Sequence, residues 1–272
     1  EAASTGKLSV TGYQDYSDAQ KILKEVNKYR KKNGRKALKM DRGLTNSTIM
    51  RGFETTIYIP ETSPHRRPNG KLSKSINKKI IYENCAQSAG TTPKQIVKGW
   101  INSSTHRKGL LLSNAKSVGV AAVTVVSRDG YEANTWELDF SSSKAKKVEK
   151  SKARKQFTKN IVTKNSYLKK SYLKLDSRYG TIWETEKMQM KPTYQGKMMK
   201  EYGVYPTVIN ASSFTSWKSS NPSVASVDSN GRITGNKAGT AMISAKLKTG
   251  TKITISKKIK VVPMNQQIDP WE

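Results

Sequence analysis

Trp100-Ile101-Asn102-Ser103-Ser104-Thr105-His106-Arg107 decides how this chain is read. It joins the buried end of a helix to one of only two histidines in 272 residues. Upstream, Thr92-Pro93 is a helix start: the threonine can cap free amides and proline suits the first helical position. Ile96, Val97, Trp100 and Ile101 then recur at helical spacing and form a buried stripe. Downstream, Val118–Val126 is valine-rich and reads as a buried strand. Tyr131–Phe140 reads as a second strand, with a hairpin signal at Arg128-Asp129-Gly130. Further upstream, Ile22, Leu23, Val26 and Tyr29 mark a helix from about Asp18 that ends at Asn33-Gly34. Another helix is expected from Leu44 to about Ile59, before Pro60 and Pro64 break the pattern. Pro68-Asn69-Gly70 reads as a turn. Helices followed by a small antiparallel sheet predict an α+β, α-β-α layered domain over residues 18–142.

Outside that block the pattern changes. Residues 1–17 are polar and are expected to be a flexible lead-in. Residues 143–156 are lysine-rich without apolar period and are expected to be an extended, disordered basic linker. Residues 157–263 carry short strand-like runs, Val224–Val227, Ala241–Ala245, Ile253–Ile255 and Ile259–Val262. Asn230-Gly231 and Thr249-Gly250 supply turns between them, which predicts an all-β sandwich whose start is not sharply marked. Residues 264–272 read as a tail.

Charge narrows the partners. The formal net charge is +30, and residues 144–171 hold eleven basic side chains against one acid, Glu149. Such a field attracts polyanions. The lysines and neighbouring aromatics (Phe157, Tyr167, Tyr172) compose no nucleic-acid reading motif, so nucleic acid is not the expected partner. The longest nearly apolar run is far short of the roughly 20 residues that span a bilayer, so no transmembrane segment is expected. Cys85, the single cysteine, allows no intrachain disulfide and reads as a small buried hydrophobe rather than a nucleophile.

The motifs occur in a recognisable order. Arg51-Gly52-Phe53-Glu54 precedes His65-Arg66-Arg67-Pro68-Asn69-Gly70. Tyr82-Glu83-Asn84-Cys85-Ala86 follows, then Trp100 to Arg107, then Val118-Gly119-Val120 and an aromatic strand, Trp136 to Phe140. This set resembles the bacterial branch of the CAP superfamily, the SCP-like extracellular proteins. The resemblance implies a central cleft lined by two histidines and two acids, here Glu54, His65, Glu83 and His106. It also implies that His65 and His106 can hold a divalent metal, zinc in some members. Glu61 competes with Glu54 for the first acidic position, because the segment between Glu54 and His65 is longer than the family pattern. Tyr82 stands where a glycine is frequent, and Cys85 where an aliphatic residue is usual.

A second resemblance begins at Trp217 and runs through Asn221-Pro222-Ser223-Val224-Ala225-Ser226-Val227, Asn230-Gly231-Arg232-Ile233-Thr234-Gly235 and Ala238-Gly239-Thr240-Ala241. It is similar to the bacterial group-2 immunoglobulin-like domain, in which Asn230-Gly231 would supply the positive-φ residues of a tight hairpin. Such modules imply a secreted or cell-surface protein whose signal peptide has been removed. The expected role is non-catalytic binding outside the cell. The CAP cleft would take a small ligand, a peptide or a metal ion, and a polyanionic envelope component would hold the rest. A metal-dependent hydrolase acting on peptide or cell-wall substrates is the alternative: two imidazoles and a glutamate could activate a zinc-bound water. Three protein ligands are usual at catalytic zinc, however, and the two histidines are fewer than that.

Overall fold

In the computed structural model, described for residues 5–57, 65–88, 90–175 and 180–268, apolar periodicity and capping set the elements of the first half. Strand β1, Thr5–Asp15, leads into helix α1, Tyr16–Lys32. The expected flexible lead-in is thus strand from Thr5, because Leu8 and Val10 are buried alternately with polar neighbours. Asp15 rather than Asp18 caps α1, its carboxylate accepting from the Asp18 amide at 2.9 Å. The helix ends at Asn33, with Gly34 at φ +67°. A short strand β2, Lys39–Met40, precedes helix α2, Arg42–Ile57. Strand β3 is Ile80–Ser88. Helix α3, Pro93–Asn102, opens on a full capping box between Thr92 and Gln95. A second short helix, α4 (Ser104–Leu110), was not expected: Ser103 closes α3 and caps α4, so His106 sits on its first turn. Strands β4, Ser117–Val126, and β5, Glu132–Ser141, complete the predicted pair.

These strands, with β6 (Arg154–Lys164), form one sheet in the order β3-β5-β4-β1-β6, with β2 parallel to β4. Period-two alternation gives the sheet two different faces. Val118, Val120, Ala122, Trp136, Leu138 and Phe140 pack with Ile22 and Val26 of α1 and with Ile96, Val97 and Trp100 of α3. The alternate residues face α2. A Cβ on Gly119 would run into the Thr48 hydroxyl and the Leu44 backbone, and one on Gly52 into the Val123 side chain. The outcome is the α-β-α layering expected from the pattern.

The basic segment differs from its expectation. Residues 144–153 are not a disordered linker but are pinned onto the start of α2. Asp41 Oδ1 accepts from the Leu44 amide at 2.8 Å and Oδ2 from the Lys146 amide at 2.7 Å. Glu149 is buried, pairs with Arg42 at 2.8 Å, and accepts from the Lys150 and Ser151 amides at 3.0 Å each. The Arg42 amide donates to the Lys147 carbonyl and the Tyr16 amide to that of Ala153. Fixed backbone groups and one buried acid thus order a stretch that has no apolar period of its own.

Contacts divide the chain into two units: Thr11–Val125 with Glu132–Lys159, and Asn160–Glu272 with the segments Glu1–Val10 and Val126–Tyr131. The second unit contains short strands β7 (Leu173–Lys174), β8 (Thr181–Trp183), β9 (Lys187–Gln189), β10 (Thr193–Tyr194) and β11 (Thr207–Val208). Strands β12 (Phe214–Ser219), β13 (Ala225–Val227), β14 (Arg232–Gly235), β15 (Gly239–Leu247) and β16 (Thr254–Val262) follow. Its main sheets run β12-β15-β16-β8 and β13-β14-β9. Ala241, Ile243, Ala245 and Leu247 alternate inward on β15, opposite Ile255 and Ile259 on β16. The two runs expected near residues 253 and 259 are one strand, because the polar residues between them keep the same alternation. At the β13–β14 turn only Gly231 has positive φ, +75°, and Asn230 does not. The Asp228 carboxylate accepts from the Asn230 and Arg232 amides and sets the turn instead.

Candidate functional site

The site lies in the first unit, on the α2 side of the β3–β5 ladder. Glu83 pairs with Asp139 and Cys85 with Glu137 across the strands, so all four side chains share one face. α2 lays Arg51 and Glu54 on that face, both fully buried. Arg51 donates to Glu83 through Nε at 2.9 Å and Nη2 at 3.2 Å, and to Glu54 through Nη1 at 3.0 Å. A turn at Pro68-Asn69-Gly70 (Gly70 φ +85°) brings two more groups in. Arg67 grips Glu54 with bonds of 2.7 and 3.0 Å, and His65 Nδ1 lies 2.9 Å from Glu83 Oε1. The Ser73 amide closes this hairpin on the His65 carbonyl at 2.9 Å.

Three of the four predicted cleft residues are therefore joined: Glu54 to Glu83 through Arg51, and Glu83 to His65 directly. His106 comes from the other side. Its carbonyl accepts from Asn84 Nδ2 at 2.9 Å, and Tyr82 donates to the Thr105 carbonyl at 2.9 Å. Tyr82 also packs against Gly109, so it serves α4. His106 meets the others through charge: burial and the neighbouring His65 hold its pKa below the usual imidazole value, so it is neutral near pH 7. The competing acid Glu61 lies outside the described residues.

The electrostatics are those of a buried, acid-rich cluster. Burial pushes Glu83 up, but the bonds from His65 and Arg51 outweigh it and leave the carboxyl below its ordinary value. Burial disfavours the Arg51 cation, yet Glu137, Glu83 and Glu54 hold it charged. Burial and the Glu83 charge push Glu137 well up and Asp139 up to about 8. The Thr48 hydroxyl opposes that rise at Asp139 only in part, being bonded to the Leu44 carbonyl at 2.9 Å. Among the described residues, Glu137 Oε2 and both Asp139 oxygens have no hydrogen-bond partner. Burial and the charges of Glu137 and Glu83 also push the Cys85 thiol well up, which agrees with its reading as no nucleophile. Glu137 and Asp139 escaped the sequence reading. Their signal was present: acids at alternate positions of Trp136-Glu137-Leu138-Asp139-Phe140 must both face one layer.

The histidines fit a metal in one respect. If the Nδ1–H of His65 donates to Glu83, Nε2 carries the lone pair, which is the carboxylate–imidazole arrangement that supports metal ligation. His65 and His106 would hold the ion, which would supply Lewis-acid chemistry to a bound group. This chain's own part would be to orient His65 through Glu83 and to keep His106 neutral.

Two family models agree with this architecture. The model of the cysteine-rich secretory protein family, CAP, matches residues 23–138, and that of the bacterial Ig-like domain (group 2) matches residues 189–258. An uncharacterized protein, YkwD, of Bacillus subtilis (strain 168) is 32% identical over 119 residues, covering 42% of this chain and 44% of that protein. The chain thus spans less than half the length of that relative. Among solved structures, an outer surface protein of Borrelia burgdorferi is 16% identical with TM-score 0.37, covering 48% of this chain and 98% of that one. An extracellular SCP-domain protein of Bacillus anthracis is 18% identical with TM-score 0.35, covering 46% of this chain and 41% of that one. On the two family matches, the chain carries a CAP domain followed by a group-2 bacterial Ig-like domain.

Proposed function

We propose that the chain is a non-catalytic binding protein of the bacterial cell exterior. In this reading the CAP cleft takes a small ligand or peptide together with a divalent metal, zinc at His65 and His106. The exposed lysines of residues 144–155 meet a polyanionic envelope component. The pairing of a CAP domain with an Ig-like domain supports the location, and no helix among the described residues is long and apolar enough to cross a membrane.

One observation favours binding over hydrolysis. Both cleft carboxylates are fully engaged: Glu54 by Arg51 and Arg67, and Glu83 by Arg51 and His65. A general base must reach the proton that it removes. A carboxylate held by a buried guanidinium group and a second donor is a weak base and a good brace.

The test is zinc titration of the metal-stripped chain by calorimetry at about pH 7.5, above the model histidine value of about 6.5. The His65→Ala/His106→Ala double variant runs beside it, together with a screen against peptide and cell-wall substrates. One-site binding that the double variant lacks, with no turnover, is the expected result. Turnover that both single histidine variants abolish would replace this reading with that of a metal-dependent hydrolase.

A further inference from the structure

We infer that His65, Glu83 and Cys85 form a thiolate-bearing seat for a borderline-soft divalent cation of the zinc type, with Cys85 as a ligand. This rests on the reading of the cleft as a metal site and adds to its donor set: sulfur enters beside His65.

The argument begins with placement. One ligand atom from each of the three residues lies within 4.8 Å of the other two. Bonds of about 2.0–2.3 Å in a tetrahedron put ligand atoms about 3.3–3.8 Å apart, so small side-chain rotations close the set. Glu83 and Cys85 alternate on one strand and point the same way, and His65 already touches Glu83. Nitrogen, carboxylate oxygen and sulfur together suit zinc and its neighbours better than calcium or magnesium.

A second observation points to a cation independently. Among the described residues, Glu54, Glu83, Glu137 and Asp139 are buried with two guanidinium groups bonded to them, Arg51 and Arg67. If all four acids ionised, two positive charges would be lacking. A divalent ion among them would meet that shortfall, less the one charge that a thiolate adds. The orphaned oxygens of Glu137 and Asp139, both fully buried, lie on the same face, directly across the ladder from Cys85 and Glu83. The buried acids on this face thus favour a cation beside Cys85 and Glu83.

The chemistry balances. The cation displaces the proton between His65 Nδ1 and Glu83 Oε1, and the imidazole carries its proton on Nε2 instead. The Cys85 S–H bond breaks, its electron pair forms the sulfur–metal bond, and the proton leaves to solvent. The ion adds two positive charges and the thiolate one negative, so the site gains one net positive charge toward the acids around it, and Arg51 stays bonded to Glu83 Oε2.

The experiment uses cobalt(II) alone as probe, titrated into the metal-stripped full chain at about pH 7.5, where free imidazole is mostly neutral. Sulfur-to-cobalt charge-transfer absorption in the near ultraviolet reports thiolate ligation. The expected result is one equivalent bound with that band and with net proton release. Cys85→Ser should lose the band and bind at least about tenfold more weakly, whereas His106→Ala, whatever its affinity, should keep the band once saturated. Zinc should also protect the unaltered chain's thiol from alkylation, a readout that needs no variant to fold. Cobalt bound without the band, unchanged in Cys85→Ser and lost in His106→Ala, would overturn this inference and leave the two-histidine reading standing. Absence of any cobalt binding would overturn both metal statements and leave ligand binding by the cleft to its own test.

Discussion

Asp139 buries both carboxyl oxygens without a hydrogen-bond donor among the described residues, and the folded chain keeps it protonated up to about pH 8. An unfolded aspartate releases that proton near pH 3.9. Between those values the folded state binds the proton and the unfolded state does not, so the contribution to stability falls as pH rises. Glu137 acts in the same direction. In the metal-free protein, the midpoint of thermal unfolding should therefore drop from about pH 5 to about pH 8.5. Asp139→Asn, which mimics the neutral acid, should flatten that slope and leave the low-pH midpoint nearly unchanged. A slope identical in the two proteins would show that Asp139 ionises without cost. This residue also marks where sequence reading stops. Glu54, His65, Glu83 and His106 were found by ordered motifs, and three of the four meet through named bonds. The partners that set their protonation, Glu137 and Asp139, come from a strand that looked like core, because its aromatic and leucine positions dominate the pattern.

At the scale of elements, the approach of α2 to β4 is controlled by Gly119. It is needed there for space, since any Cβ would enter the Thr48 side chain and the Leu44 backbone. Gly119→Ala should cost about 1–3 kcal/mol, as overpacking of a tight core does, measured by denaturant unfolding. The same change should loosen Arg51 and Glu54, which ride on α2, and so weaken metal binding in parallel. A neutral effect on both would mean that the helix moves freely over the sheet. Helices α1 and α3 were legible almost residue by residue, since apolar stripes and caps are local signals. Two elements were not. Strand β1 looked like a polar lead-in because its buried residues alternate with polar ones over a short stretch. Helix α4 has too few residues for a period, and only Ser103, serving two caps at once, reveals it.

For the whole molecule, the net charge of +30 is the property most open to a solution test. Lys146, Lys147, Lys150 and Lys152 are exposed on ordered backbone between Asp41's anchor and β6. Replacing these four with serine should elute the chain from an anionic polysaccharide column at lower salt and make retention less dependent on ionic strength. Unchanged elution would move the polyanion contact elsewhere. Substitution is the right tool, because deleting the segment would remove Glu149 and the partners of the Arg42 side chain and amide. Reading the run as a linker followed from composition, which counts lysines and cannot see what one buried acid holds in place. The Asp41 and Glu149 clasps carry a last consequence for recognition. A loose tail would surrender chain entropy each time it lay down on a polymer, at roughly 1–2 kcal/mol per residue ordered. Here that loss is taken during folding, so the lysines offer a preset spacing and the wall polymer alone has to adjust.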